Sequence, residues 1–279
     1  MLRYDEVGYW SLLKLDIIRE YAQAYSRILS AQTSPCLHHI YIDAFAGAGM
    51  HILKGTEDFF PGSPMNALLL DPPFKRYYLI DLDGAKAEAL REMTAGRKDV
   101  YVKEGDCNQV LLKEVFPNVQ WNQYRRGLCV LDPYGINLNW EVVAKAGEMQ
   151  SIEIFLNFMV MDMNRNVLWG NPDNVDVRQL VRMDAFWGDQ SWHDAAYRKR
   201  KTLFGSVDEK AGNEAIAKAY QDRLRNVAGF KHVPDPIPMR NNNGAVVYYL
   251  FFASQKPVAA DIVQDIFKKY RDRGAAYGS

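Results

Sequence analysis

Apolar residues recur at helical spacing near the start of the chain, at Trp10, Leu13, Ile17, Ile18, Tyr21, Tyr25, Ile28 and Leu29. That period predicts one long helix over residues 9–30 with a wide apolar face. Lys14 and Arg19 fall inside it and read as parts of its solvated side. Beyond a polar linker containing Pro35 the pattern changes. Continuous apolar runs at 39–44, 76–82, 100–102, 127–131 and 152–158 predict strands. Helical patterns at 63–70, 85–94, 110–116 and 140–149 separate them, the first opened by Ser63 as N-cap and Pro64 as first helical residue. Strands alternating with helices at this interval predict βαβ units and a parallel sheet. Runs that are apolar throughout, rather than alternating, fit strands covered on both faces.

Residues 161–201 are rich in Asn, Asp, Arg and Trp and break into short helical pieces, which predicts an inserted helical subdomain. A helix over 208–227 then returns to the sheet. The turn Asn241-Asn242-Asn243-Gly244 lies between apolar runs at 230–239 and 245–254, a strong hairpin signal. A final amphipathic helix spans 259–270. The expected fold is α/β: a doubly wound, Rossmann-like, mostly parallel seven-stranded sheet with a C-terminal antiparallel hairpin and a helical insertion. One domain, 1–279, accounts for the chain: an N-terminal helical part (1–37), a core (38–160), the insertion (161–207) and the closing part of the sheet (208–279).

Composition changes this picture little. Of 279 residues, 48% are hydrophobic and 24% charged, and 34 basic residues cancel 34 acidic ones. Zero net charge gives no global reason for a polyanionic partner, although one basic face stays open. Cys36, Cys107 and Cys129 are widely spaced and odd in number, so reduced thiols are expected rather than a disulfide framework. The five histidines are scattered, and His38 and His39 would point to opposite faces of a strand, so no metal site is expected. Residues 1–6 lack the form of a signal peptide, and no apolar run is long enough to span a bilayer. A soluble cytoplasmic protein with no membrane association is expected.

The chemistry gathers at the strand ends. Tyr41-Ile42-Asp43-Ala44-Phe45-Ala46-Gly47-Ala48-Gly49 is a strand that breaks into a Gly-x-Gly turn, where missing Cβ atoms let a ligand approach the backbone. Residues 50–62 follow as a loop, either a flap beside the ligand or a simple extension. Asp43, Asp81, Asp106 and Asp132 stand at four successive strand ends, the edge where open α/β sheets bind ligands. Asp81 can accept from both hydroxyls of a ribose. Asp106 can accept from an exocyclic amine such as adenine N6, with the Cys107 amide available to a ring nitrogen. A carboxylate at Asp43 suits a cationic group and would repel a pyrophosphate, which disfavours NAD. An adenosine bearing an ammonium and a sulfonium is S-adenosylmethionine, with Asp43, Phe45, Gly47, Gly49, Asp81, Asp106 and Cys107 as its candidate contacts.

In order, Asp43-Ala44-Phe45-Ala46-Gly47-Ala48-Gly49, the acid at 81, Gly105-Asp106 and Asp132-Pro133-Tyr134 resemble a class I methyltransferase. More narrowly, Trp10 and Lys14, the stretch 41–47, Gly62-Ser63-Pro64 and Leu131-Asp132-Pro133-Tyr134-Gly135 resemble the three-Cys-motif partner proteins over roughly residues 9 to 270. These are bacterial proteins with a methyltransferase-like fold, named for a neighbouring radical-type protein with three cysteines. The resemblance implies that fold, S-adenosylmethionine as cofactor and such a protein as partner.

Asp132-Pro133-Tyr134-Gly135 is also similar to the Asp-Pro-Pro-Tyr signature of enzymes that methylate amino groups of nucleic acids. There the acid and the proline carbonyl accept hydrogen bonds from the target amine, and an aromatic stacks on the base. The implied catalytic residues are Asp132, Pro133 and Tyr134. Here the second proline is Tyr134 and the aromatic position is Gly135, so stacking falls to Tyr134 or to a residue elsewhere. Asn157 and the cluster Asn164-Arg165-Asn166 are candidates for the acceptor side. Arg125-Arg126 and residues 197–201 are local basic runs that could meet DNA or RNA. Two readings stand: a methyltransferase acting on a nucleobase amine, and a non-catalytic partner module on the same scaffold.

Overall fold

The computed structural model describes residues 5–55, 58–202 and 205–276. A three-residue strand, β1 (Asp5–Val7), leads into α1 (Tyr9–Ser30). The apolar stripe of α1 buries Ile17, Ile18, Tyr21, Ala22 and Tyr25 against one face of the sheet. Tyr21 sits edge-on to Phe155 and Phe252, 5.4 and 4.8 Å between ring centres. Fully burying side chains of this size contributes about 1.5–3 kcal/mol each.

The core then follows the expected alternation: β2 (His38–Asp43), the short pair β3 (Met50–Leu53) and β4 (Phe59–Pro61), α2 (Ser63–Leu68), β5 (Arg76–Asp81), α3 (Gly84–Met93), β6 (Val100–Glu104) and α4 (Cys107–Val110). Next come β7 (Arg125–Leu131), α5 (Trp140–Met149) and β8 (Ile152–Phe158). The insertion contributes α6 (Val160–Asn166), α7 (Val177–Trp187), α8 (Trp192–Ala196), β9 (Tyr197–Thr202) and β10 (Gly205–Lys210). The chain closes with α9 (Asn213–Asn226), β11 (Ile237–Arg240), β12 (Val246–Ala253) and α10 (Pro257–Ala276).

The seven-stranded sheet runs β11-β12-β8-β7-β2-β5-β6. Neighbours from β8 to β6 are parallel, and β12 is antiparallel to both β8 and β11. One core, around Ile42, Leu131, Phe158 and Tyr220, fills the face under α5 and α9. The other, around Tyr21, Tyr41, Phe74 and Phe252, fills the face under α1, α2 and α10. His39 is buried and bonded to Ser26 Oγ at 2.9 Å while His38 is exposed, as alternation along a strand requires.

Four local expectations need correction. The stretch 50–62 contains a hairpin, β3–β4, whose strand β3 lies between β1 and β4 and pairs with both. Its short strands carry no period long enough to read from sequence. Gly62, not Ser63, occupies the N-cap of α2, and Ser63 is its first residue. The helix expected at 110–116 begins earlier, at Cys107, because Asp106 caps it, and continues as a π-turn over Leu111–Val115. The helix expected from 208 starts at Asn213, since residues up to Lys210 pair with β9.

Candidate active site

Strand order reverses between β2 and β7: from β2 the chain steps outward to β5 and β6, then returns to add β7 and β8 on the other side. Such a switch point opens a crevice at the carboxyl edge. A cavity of about 200 Å³ lies there, lined by Phe45 and Gly47 after β2, Asp132, Pro133 and Tyr134 after β7, and Asn157 on β8. Lys14, Trp10, Ser63, His51 and Tyr248 complete its wall. Of the residues expected to touch cofactor or acceptor, Phe45, Gly47, Asp132, Pro133, Tyr134 and Asn157 therefore line one cavity.

Asp43 does not line it but is hydrogen-bonded to Ser63, which does. Its carboxylate is fully buried and accepts from the Phe45 amide and the Tyr41 hydroxyl, each at 3.3 Å. No cation pairs with it among the described residues. Burial pushes its pKa up to about 6; Ser63 opposes the shift and the nearby Asp132 adds to it. A buried acid without a counter-charge is a site for a cationic ligand group.

Asp81 is held differently. Its Oδ2 accepts from the Gly47 amide at 2.8 Å and its Oδ1 from the Asp83 amide at 2.9 Å. Each carboxylate oxygen keeps a further lone pair for a diol. Gly47 needs its lack of a Cβ, because φ is +62° there. Gly49 (φ +81°) faces the other way: a Cβ would stand 2.6 Å from Met93 Cε and 3.1 Å from Leu90 Cδ2, so its smallness seats α3. Asp106, further along the edge, caps α4 by accepting from the Asn108 amide at 2.9 Å. Cys107 is the first residue of that helix, where backbone amides have no partner within the helix. Its thiol is buried and pushed up to about 12, which leaves only the amide for recognition. Asp43, Gly49, Asp81, Asp106 and Cys107 do not line the cavity beside Asp132.

Around Asp132 the structure adds what sequence reading missed. Lys14 pairs with Asp132 Oδ2 and Asn157 Nδ2 donates to Oδ1. The expectation of a solvated Lys14 is thus overturned: the residue is buried, with its ammonium 5.7 Å from the Tyr248 ring centre. A signal was present, since positions 10, 14, 17, 18 and 21 share one helical face. Register explains Asn157: Leu131 lies opposite Leu156, so the next residues of β7 and β8 meet at the edge. Tyr134 is 69% exposed at the mouth, with Lys86 Nζ 5.7 Å from its ring centre.

Gly135 also gains a reason. A Cβ there would stand 2.6 Å from Asp162 Oδ2, the oxygen that accepts from the Ile136 amide at 3.0 Å and from Arg182 at 3.3 Å. The position that would carry the aromatic is filled by the insertion's carboxylate. Other candidates lie elsewhere. Asn164 and Asn166 bond to Asn213 and Asp162 within the insertion and its neighbours. Arg125 and Arg126 begin β7, at the opposite edge of the sheet. Residues 197–201 lie on β9, which pairs with β10, and Arg200 forms an ion pair with Glu209 at 3.5 Å.

All three cysteines are free, and no helix among the described residues is long and apolar enough to cross a membrane. The chain has a doubly wound, Rossmann-like fold. Protein LPL1258 from Legionella pneumophila shares it with a TM-score of 0.51 at 14% identity, over 92% of each chain. The 23S rRNA methyltransferase ErmE aligns over 90% of this chain and 96% of its own, at 14% identity and a TM-score of 0.32. The methyltransferase domain of the citrinin polyketide synthase aligns over 79% and 47%, at 12% identity and a TM-score of 0.39. Only the first likeness is close enough to carry the fold, and none carries a substrate. No family model and no curated protein matches the sequence.

Proposed function

We propose that the protein is an S-adenosylmethionine-dependent methyltransferase acting on an amino group of a nucleobase in DNA or RNA. The observation that carries this reading is the fully buried Asp43, which has no counter-ion among the described residues and contacts the wall of a cavity bounded by Asp132. The bound cofactor would supply an electrophilic methyl group. Asp43 would hold its cationic end, Asp81 its ribose, and Asp106 with the Cys107 amide its adenine. Phe45 and Gly47 shape the wall between Asp43 and Asp132.

Asp132 with the Pro133 carbonyl would accept from the two hydrogens of an incoming amine, which turns the nitrogen lone pair toward the methyl donor. This is catalysis by positioning. Lys14 and Asn157 hold the carboxylate in place: one keeps it charged, the other fixes its rotation. Tyr134, exposed at the mouth, offers a ring for a base turned out of its stack. Transfer of a tritiated methyl group to total RNA or DNA tests the proposal. Wild type should label one of them. Asp132→Ala and Lys14→Met should each lose at least about 100-fold, the scale of misplacing a reacting group, while still binding cofactor.

A second reading is favoured by one observation: both oxygens of Asp132 already have partners, Lys14 and Asn157. A partner module of the three-Cys-motif type would keep the scaffold, bind another protein of the radical type and transfer nothing. Label incorporated by wild type and lost in Asp132→Ala rejects it.

A further inference from the structure

A second cavity, of about 360 Å³, opens at the opposite edge of the sheet, where β7 and β8 begin. That volume is within the range of small-molecule sites. Three of its features ask for a ligand. First, the Arg126 guanidinium and the Lys256 ammonium lie 3.3 and 4.9 Å from the centre of the same Trp121 ring. Neither forms an ion pair among the described residues, although two cations on one indole repel each other. Arg126 spends Nη1 on the carbonyls of Trp121 and Arg125, at 3.2 and 2.7 Å, and keeps its other nitrogens.

Second, Gln255 Oε1 is buried without any donor, while its Nε2 is bonded to the Gly147 and Gly229 carbonyls. Leaving a buried acceptor without a donor is unfavourable. Third, Glu153 lines the same cavity. Its oxygens accept from Ser254 Oγ at 2.9 Å and from the Tyr21 hydroxyl, and each keeps a lone pair. The rest of the wall mixes apolar side chains, among them Tyr25 and Leu29 of α1, with the polar Gln32, Gln150 and Ser151. The site therefore has two cations around one indole ring, one buried acceptor without a donor, and a carboxylate with lone pairs to spare.

We propose that this cavity binds a purine 5′-mononucleotide. Its phosphate meets Arg126 and Lys256, and the donor-bearing edge of its base meets Gln255 Oε1 and Glu153. Guanidinium and ammonium groups are good phosphate partners. A simple anion would leave Gln255 Oε1 empty, and an apolar acid would supply no donor. The site is independent of the methyl-transfer cavity and of the function proposed for it.

Calorimetric titration of the full chain with GMP, AMP, ribose 5-phosphate and inorganic phosphate tests this. At least one nucleotide should bind at least tenfold tighter than ribose 5-phosphate and phosphate. Lys256→Gln, an exposed position that leaves folding intact, should weaken that binding about tenfold; Arg126→Gln should do the same where its melting temperature matches wild type. Absence of binding by either nucleotide at 1 mM would overturn the proposal. So would equal binding of ribose 5-phosphate, or nucleotide affinity unchanged in Lys256→Gln.

Discussion

At the scale of single residues, one carboxylate carries opposite values for folding and for binding. Asp43 has a folded pKa of about 6 against 3.8 for the free side chain. Because the folded value is the higher one, the protonated acid favours the fold below about pH 4. That contribution is lost as pH rises through 6, and it amounts to about 3 kcal/mol at 1.36 kcal/mol per unit. Asp43→Asn keeps the shape without the charge. Its stability relative to wild type should be near zero at pH 4 and rise toward about 3 kcal/mol by pH 8, read from urea melts across that range. A flat difference would mean that the carboxylate is not held as described. Other titrating groups such as His39 and Glu153 are common to both proteins and cancel in the comparison. Sequence made the four strand-end acids legible because Asp at the end of an apolar run is a local signal. Lys14 was hidden because a lone lysine on an amphipathic helix has no local mark of a partner 118 residues away.

At the scale of elements, the long periodic segments were the readable ones. Helices Tyr9–Ser30 and Trp140–Met149 and strand Ile152–Phe158 match their patterns residue for residue. The β1–β3–β4 sheet was not legible, since strands of three or four residues are held by pairing rather than by their own composition. The same holds for β9–β10, whose charged run Arg198-Lys199-Arg200 has no apolar alternation. Glycines show the limit well. Gly147 lies within α5, where sequence gives only a helix penalty. In the structure its missing Cβ would stand 1.9 Å from the Ala228 carbonyl oxygen. Backbone must move to accept a methyl group there, so Gly147→Ala should destabilise by about 1–3 kcal/mol despite alanine's better helix propensity. Chemical denaturation measures it; a gain in stability would contradict the packing of α5 against the 228–230 turn.

At the scale of the whole molecule, one topology produces both edges of the sheet and gives them different chemistry. The carboxyl edge gathers Asp106, Asp81, Asp43, Asp132 and Asn157 from adjacent strands, in the order β6, β5, β2, β7, β8. α1 lies across this row and sends Lys14 into it, which is why the N-terminal helix belongs to the site rather than preceding it. The doubly wound sheet and its antiparallel end were readable, because alternation of elements and an Asn-Gly turn are strong signals. The closing of α1 over the crevice was not, since no local pattern states where a helix will pack. The central claim, that this edge holds a cationic nucleoside through Asp43 and Asp81, is tested most directly by calorimetric titration of S-adenosylmethionine into wild type, Asp43→Asn and Asp81→Asn. The expected result is one site in wild type, with affinity at least tenfold weaker in each variant while both stay folded. No binding to wild type, or equal affinity in all three proteins, would contradict it.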